Sequence, residues 1–159
     1  SAASSPRNDL VKNCRVHPMH WLISTQVNQG LTCHVKDGDA FTVAMLEKHV
    51  WICAFMLVGA SHGGCTVGEV ESTYTKEFEA LASEMMTAGA AALGVDVADG
   101  YLDRLKAYAR AVSHFPTAVK EFEWRNGVFH DMSVAAMKEG REDPFPTHTR
   151  MLKEVGAIE

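Results

Sequence analysis

Val50-Trp51-Ile52-Cys53-Ala54-Phe55-Met56-Leu57-Val58-Gly59-Ala60 is the longest apolar run of the chain, and its reading decides the fold. Crossing a bilayer as a helix takes about 20 apolar residues, so the run alone is too short to span one. A helix that is apolar on every side must be covered on every side, which places this run at the centre of a helical core. Upstream, Phe41, Ala44, Met45, Lys48 and His49 recur at helical spacing, so the same helix starts near Ala40 with one polar face. Asp37-Gly38-Asp39 offers a turn and a carboxylate to cap its first amides, and Gly63-Gly64 ends it.

Outward from this helix the pattern stays helical. Phe78, Leu81, Ala82, Met85, Ala88 and Ala92 mark one face of a second helix over Thr75–Leu93, stopped by Gly94. A third covers Gly100–Ser113. Pro116 opens a fourth, running from Thr117 to Glu139 through Gly127 at some cost in helix propensity. After the loop 140–146, Thr147 caps a closing helix to Val155. Only Leu31–Lys36 alternates as a short strand does, and residues 1–30 sustain no period. The expected fold is all-α, with one short N-terminal strand, an irregular segment over 1–30 and a helical domain over 31–159.

Composition narrows the function classes. The 159 residues carry 15 Lys+Arg against 20 Asp+Glu, a net charge of -5, which argues against a nucleic-acid module built on a basic face. Ser1-Ala-Ala-Ser-Ser5 lacks the apolar core of a secretory signal and fits a remnant of transit-peptide cleavage or of cloning. The four cysteines, Cys14, Cys33, Cys53 and Cys65, show no close pairing, which favours a reduced, intracellular, soluble protein of cytoplasm or plastid stroma. A helix apolar all round is hard to cover within so small a domain, so a homodimer or a place in a larger assembly is expected.

Four constellations carry chemistry-bearing residues. Cys14-x-x-His17-x-x-His20 puts three metal ligands in seven residues, one short of a structural zinc site, and no metal is expected. His62-Gly-Gly-Cys65 sets a histidine near a thiol, but reads better as a helix-ending turn. Lys48 lies where the polar-faced half of its helix passes into the apolar half. There desolvation would lower its pKa and suit it to protonate a carbonyl oxygen; the plainer alternative is a surface lysine paired with Glu47 or another carboxylate. Glu121-Phe-Glu-Trp-Arg-Asn126-Gly127 sets an Asn-Gly step inside an apparent helix, which calls for close approach of another helix or a ligand to Gly127. Glu121 and Arg125, at i,i+4, are placed to pair on the surface.

Met45-Leu-Glu-Lys48-His-Val50 resembles the Trp-x-Lys-Leu segment of the ketopantoate reductase family, and Glu121–Gly127 resembles its Glu-Ile-Asp-x-x-Asn-Gly segment. Pro146-Thr-His-Thr-Arg-Met-Leu152 is similar to the family's Pro-x-Asn-x-x-Leu end, and His114-Phe-Pro-Thr-Ala-Val-Lys-Glu-Phe122 looks like a plant or algal branch. The resemblance covers Leu31 to Gly156 and lies in the family's C-terminal helical domain, a bundle like that of 6-phosphogluconate dehydrogenase. It implies the substrate-binding and dimerisation part of an NADPH-dependent 2-oxo acid reductase. Lys48 would be the proton donor and Glu121 a substrate-orienting group, with Asn126, Ser113 and Thr117 as further substrate contacts. Two departures stand out: Ile52 replaces an asparagine that faces substrate in the family, and residues 1–30 cannot build the Rossmann domain. NADPH would have to be supplied by such a domain, and without it the chain is expected to be inert. The rival expectation is a non-catalytic helical binding or structural subunit.

Overall fold

The computed structural model describes Lys36 and residues 38–159, which from Gly38 onward belong to one compact unit. Helix α1, Gly38–Ser61, is followed by α2, Val67–Thr73, α3, Thr75–Leu93, and α4, Tyr101–Ala111. A 3-10 turn over Phe122–Trp124 leads into α5, Asn126–Lys138, and α6, Pro146–Glu154, closes the fold. Among the described residues there is no strand, only an isolated bridge between Thr66 and Pro116, and the domain is all-α. The strand expected over Leu31–Lys36 lies outside the described residues except for Lys36, which is not helical.

Helix α1 is the axis of the core. From Val50 to Gly59 all but Ile52 are buried, with Phe55, Leu57 and Val58 fully so. Packing against α3 is the most extensive, and α2, α4 and α6 cover the remaining sides. The Phe55 and Phe78 rings stack at 3.9 Å between α1 and α3, and Trp51 Nε1 donates to the Leu105 carbonyl at 3.1 Å, tying α1 to α4. As a whole α1 has the 24 residues and apolar content of a membrane-crossing helix, although the apolar run alone does not. Half of its most apolar window is enclosed by the chain's own helices, as in a core helix. The run itself is enclosed by α2, α3, α4 and α6.

The expected fourth helix, Thr117–Glu139, is not one element. Pro116 disfavours helical backbone at Phe115, and the segment around it is tied to the start of α2 instead. Val67 N donates to the Phe115 carbonyl at 2.9 Å, Gly68 N to that of Ser113 at 2.9 Å, and Thr117 N to that of Cys65 at 3.2 Å. Helix proper begins only at Asn126, so the Asn126-Gly127 step opens α5 rather than interrupting a helix. A Cβ on Gly127 would lie 2.6 Å from the Phe122 carbonyl oxygen, so the close approach comes from the adjacent 3-10 turn and not from another helix or a ligand. Thr147 does not cap α6 with its side chain; Pro146 occupies the first turn, and the Glu84 carboxylate on α3 accepts from the amides of Thr147 and His148 at 3.0 and 2.9 Å.

Candidate functional site

The amphipathic first half of α1 does not bury its apolar stripe. Phe41 and Met45 remain 47% and 52% exposed. With Ile52 from α1, Leu93 from α3, Trp124 from the 3-10 turn and Val128, Phe129 and Met132 from α5, they line a groove of about 680 Å³. That size falls among sites that hold small molecules, about 300–1,000 Å³. Its charged lining is entirely cationic: Lys48 and Arg125, with His49 beside them.

Lys48 is exposed rather than desolvated. Its ammonium rests 4.7 Å from the centre of the Tyr108 ring and 5.3 Å from that of Trp51, and it donates to the Tyr108 hydroxyl at 3.4 Å. Two aromatic faces attract and orient a cation without neutralising it. Glu47, the partner considered from sequence, is taken by Arg104 at 2.5 Å, and none of the ion pairs among the described residues includes Lys48.

Glu121 pairs with Arg125 at 2.5 Å, so the i,i+4 pairing holds although a 3-10 turn and not an α-helix joins them. Among non-glycine described residues Glu121 alone has a positive φ, 49°, a conformation that costs about 1 kcal/mol or more for a side chain with a Cβ. Glu121 reaches the groove only through Arg125, which lines it. The Arg125 carbonyl accepts from His49 Nε2 at 3.1 Å, so the strand of chain that presents Arg125 is fastened to α1 one residue after Lys48.

The other expected substrate contacts lie elsewhere. Asn126 is buried behind the groove wall, its Oδ1 accepting from His148 Nε2 at 2.9 Å. Burial foremost, and the neighbouring His130, push the His148 imidazole down to about 4, against the opposing pull of Asp143. Protonation would add an N–H at Nδ1, which has no hydrogen-bond partner. Burial raises the Asp143 carboxyl, but hydrogen bonds from Ser133, Thr149 and the Phe145 amide, together with His148, outweigh it and hold the group below its usual value.

Thr117 lines a separate cavity of about 420 Å³ with Ser61, Gly64 and Glu154. It is a packing residue: its side chain occupies the space a Cβ on Gly59 would need, and its hydroxyl donates to the Cys65 carbonyl. Ser113 is exposed and holds the Gly68 amide with its carbonyl.

His62 bonds Glu77 at 2.6 Å and stacks on Tyr74, while burial first and then Glu69 raise the Cys65 thiol, the reverse of what an activated nucleophile needs. Burial likewise pushes Cys53 up to about 12. Cys14, His17 and His20 lie outside the described residues, and among those described no three His, Cys, Asp or Glu side chains gather as metal ligands.

Comparison with protein families, with characterised proteins and with solved structures returned no match. The family likeness therefore rests on the residues quoted, and the site on its geometry. Sequence reasoning singled out Lys48 and Glu121 but did not assign Arg125, His49 or Trp124 to a site. The available signal was the Arg125-Asn126-Gly127 step, where a helix start presents a cation.

Proposed function

We propose that this helical unit is the substrate-binding part of a 2-oxo acid reductase, with a bundle of the 6-phosphogluconate dehydrogenase C-terminal kind, and that the Lys48–Arg125 groove receives the oxo acid. The observation that carries the reading is that Lys48 and Arg125, 77 positions apart, both line one apolar groove whose lining has no carboxylate. A 2-oxo carboxylate asks for this combination: a guanidinium for its carboxylate, an ammonium to polarise its ketone oxygen, and apolar walls for its side chain. Glu121, by pairing with Arg125, fixes the guanidinium and supports the substrate from behind.

NADPH does not fit the described residues. A dinucleotide pyrophosphate sits where a strand turns through glycines into a helix, whereas Gly63-Gly64 follows a helix. The part of this chain is to bind and orient the oxo acid.

The test is a titration of the intact chain with 2-oxohexanoate, read by the fluorescence of Trp124, which is 78% exposed beside the groove. Saturable binding is expected, weakened about tenfold or more by Lys48→Ala and by Arg125→Ala, the usual scale for one charge-assisted hydrogen bond. Binding that ignores both substitutions would refute the assignment. A non-catalytic binding subunit is the second reading, favoured by the breadth of exposed apolar surface, since Leu93 on the same groove is 54% exposed. It requires a macromolecular ligand to outcompete the oxo acid.

A further inference from the structure

Resting on the oxo-acid reading of the groove, we infer that its substrates are 2-oxo acids with an extended hydrocarbon side chain, of about four carbons or more and without a hydroxyl group. The wall next to Lys48 decides this. Ile52, one helical turn beyond the lysine, lines the groove with an alkyl surface, continued by Met45, Leu46, Val128, Phe129 and Met132. Two other polar side chains of the lining are engaged elsewhere: the Thr42 hydroxyl donates to the Gly38 carbonyl at 3.3 Å, and His49 Nε2 donates to the Arg125 carbonyl at 3.1 Å. Trp124 stands at the exposed rim. A hydroxyl carried down the groove would lose its water and gain no partner on Ile52, a penalty that a hydrocarbon avoids.

The space agrees with the chemistry. A groove of about 680 Å³ is far larger than the methyl or ethyl side chain of the smallest oxo acids requires. Met45 and Met132, unbranched and adaptable, can close on chains of differing length. Lys48 and Arg125 both line the groove, so a bound acid has cations for its head and the apolar sides of α1 and α5 for its chain.

The experiment is a calorimetric series on the intact chain: pyruvate, 2-oxobutanoate, 2-oxohexanoate, 2-oxooctanoate, 6-hydroxy-2-oxohexanoate and octan-1-ol. Affinity is expected to rise about fourfold for each methylene buried, and the hydroxylated hexanoate to bind about tenfold more weakly than its parent. Equal affinity along the series, or for the hydroxylated and parent acids, overturns this inference while Lys48-dependent binding leaves the oxo-acid reading standing. If octan-1-ol binds as tightly as 2-oxooctanoate, the charged head is not recognised and both fail. The chain-length and hydroxyl comparisons use the unsubstituted chain, so they do not depend on a variant's folding. An Ile52→Asn chain that folds should reverse the preference for the parent hexanoate.

Discussion

His148 shows how one buried residue sets a condition on the whole domain. Its imidazole titrates near 4 in the folded chain against 6.5 as its ordinary value, because burial disfavours the charged form. Between those pH values the unfolded chain binds the proton and the folded chain does not, so stability falls as pH drops through that window and levels off below it. The loss is on the order of 3 kcal/mol. Asp143, whose carboxyl is held below 3.8, contributes its own loss only at still lower pH. Urea midpoints measured at pH 7 and pH 4.5 should differ accordingly, and His148→Gln should flatten that dependence. A slope unchanged by the substitution would show that another group controls it. Gly127 gives a second residue-level expectation. Alanine there gains about 1 kcal/mol of helix propensity, but its Cβ would meet a backbone oxygen at 2.6 Å. Because that oxygen belongs to the 3-10 turn and is not the end of a flexible side chain, the clash wins. Gly127→Ala should lose a net 1–2 kcal/mol or so in chemical denaturation.

At the scale of elements, legibility followed the hydrophobic period. Helix α3 was readable from Thr75 to Leu93 because its face repeats and Gly94, in a left-handed conformation, stops it. The second half of α1 was readable because an uncharged run must be covered. What escaped was α2, although Thr66-Val-Gly-Glu69 spells a capping box: Glu69 N donates to Thr66 Oγ at 3.2 Å and Thr66 N to the Glu69 carboxylate at 2.7 Å. Seven residues are too few to show a period, so only the cap announced the helix. The segment after Pro116 misled for the opposite reason. Its composition suits a helix, yet hydrogen bonds of Ser113, Phe115 and Thr117 with residues 65–68, remote in sequence, tie the chain around Pro116 to the start of α2. Thr66→Ala should cost about 1 kcal/mol and destabilise α2 together with the segment around Pro116, which hydrogen exchange at the Gly68 and Thr117 amides would register. Phe55→Ala, at the centre of α1, should cost about 3–5 kcal/mol by denaturation; a loss under about 1 kcal/mol would displace α1 from the core.

Across the whole molecule, the groove was the least legible feature. The stripe Phe41-Ala44-Met45-Lys48 reads like any buried helix face, and nothing within it tells that α5 packs to one side and leaves Phe41 and Met45 exposed. Lys48 and Glu121 were singled out by resemblance to known segments, while Arg125 required knowledge of where α5 begins. Ser113, Thr117 and Asn126, each carried over from the same resemblance, belong in this fold to the α2 contact, the second cavity and the His148 pair. The most direct measurement of the groove's role is therefore a map of amide chemical shifts in the intact, isotopically labelled chain on addition of 2-oxohexanoate. Shifts should gather over Phe41–Ile52 and Trp124–Met132 and spare Ala60–Gly64 and Thr117–Val119 at the second cavity. Shifts confined to the second cavity, or an unchanged spectrum at ligand concentrations of tens of millimolar, well above the roughly millimolar Kd of a weak site, would contradict the assignment.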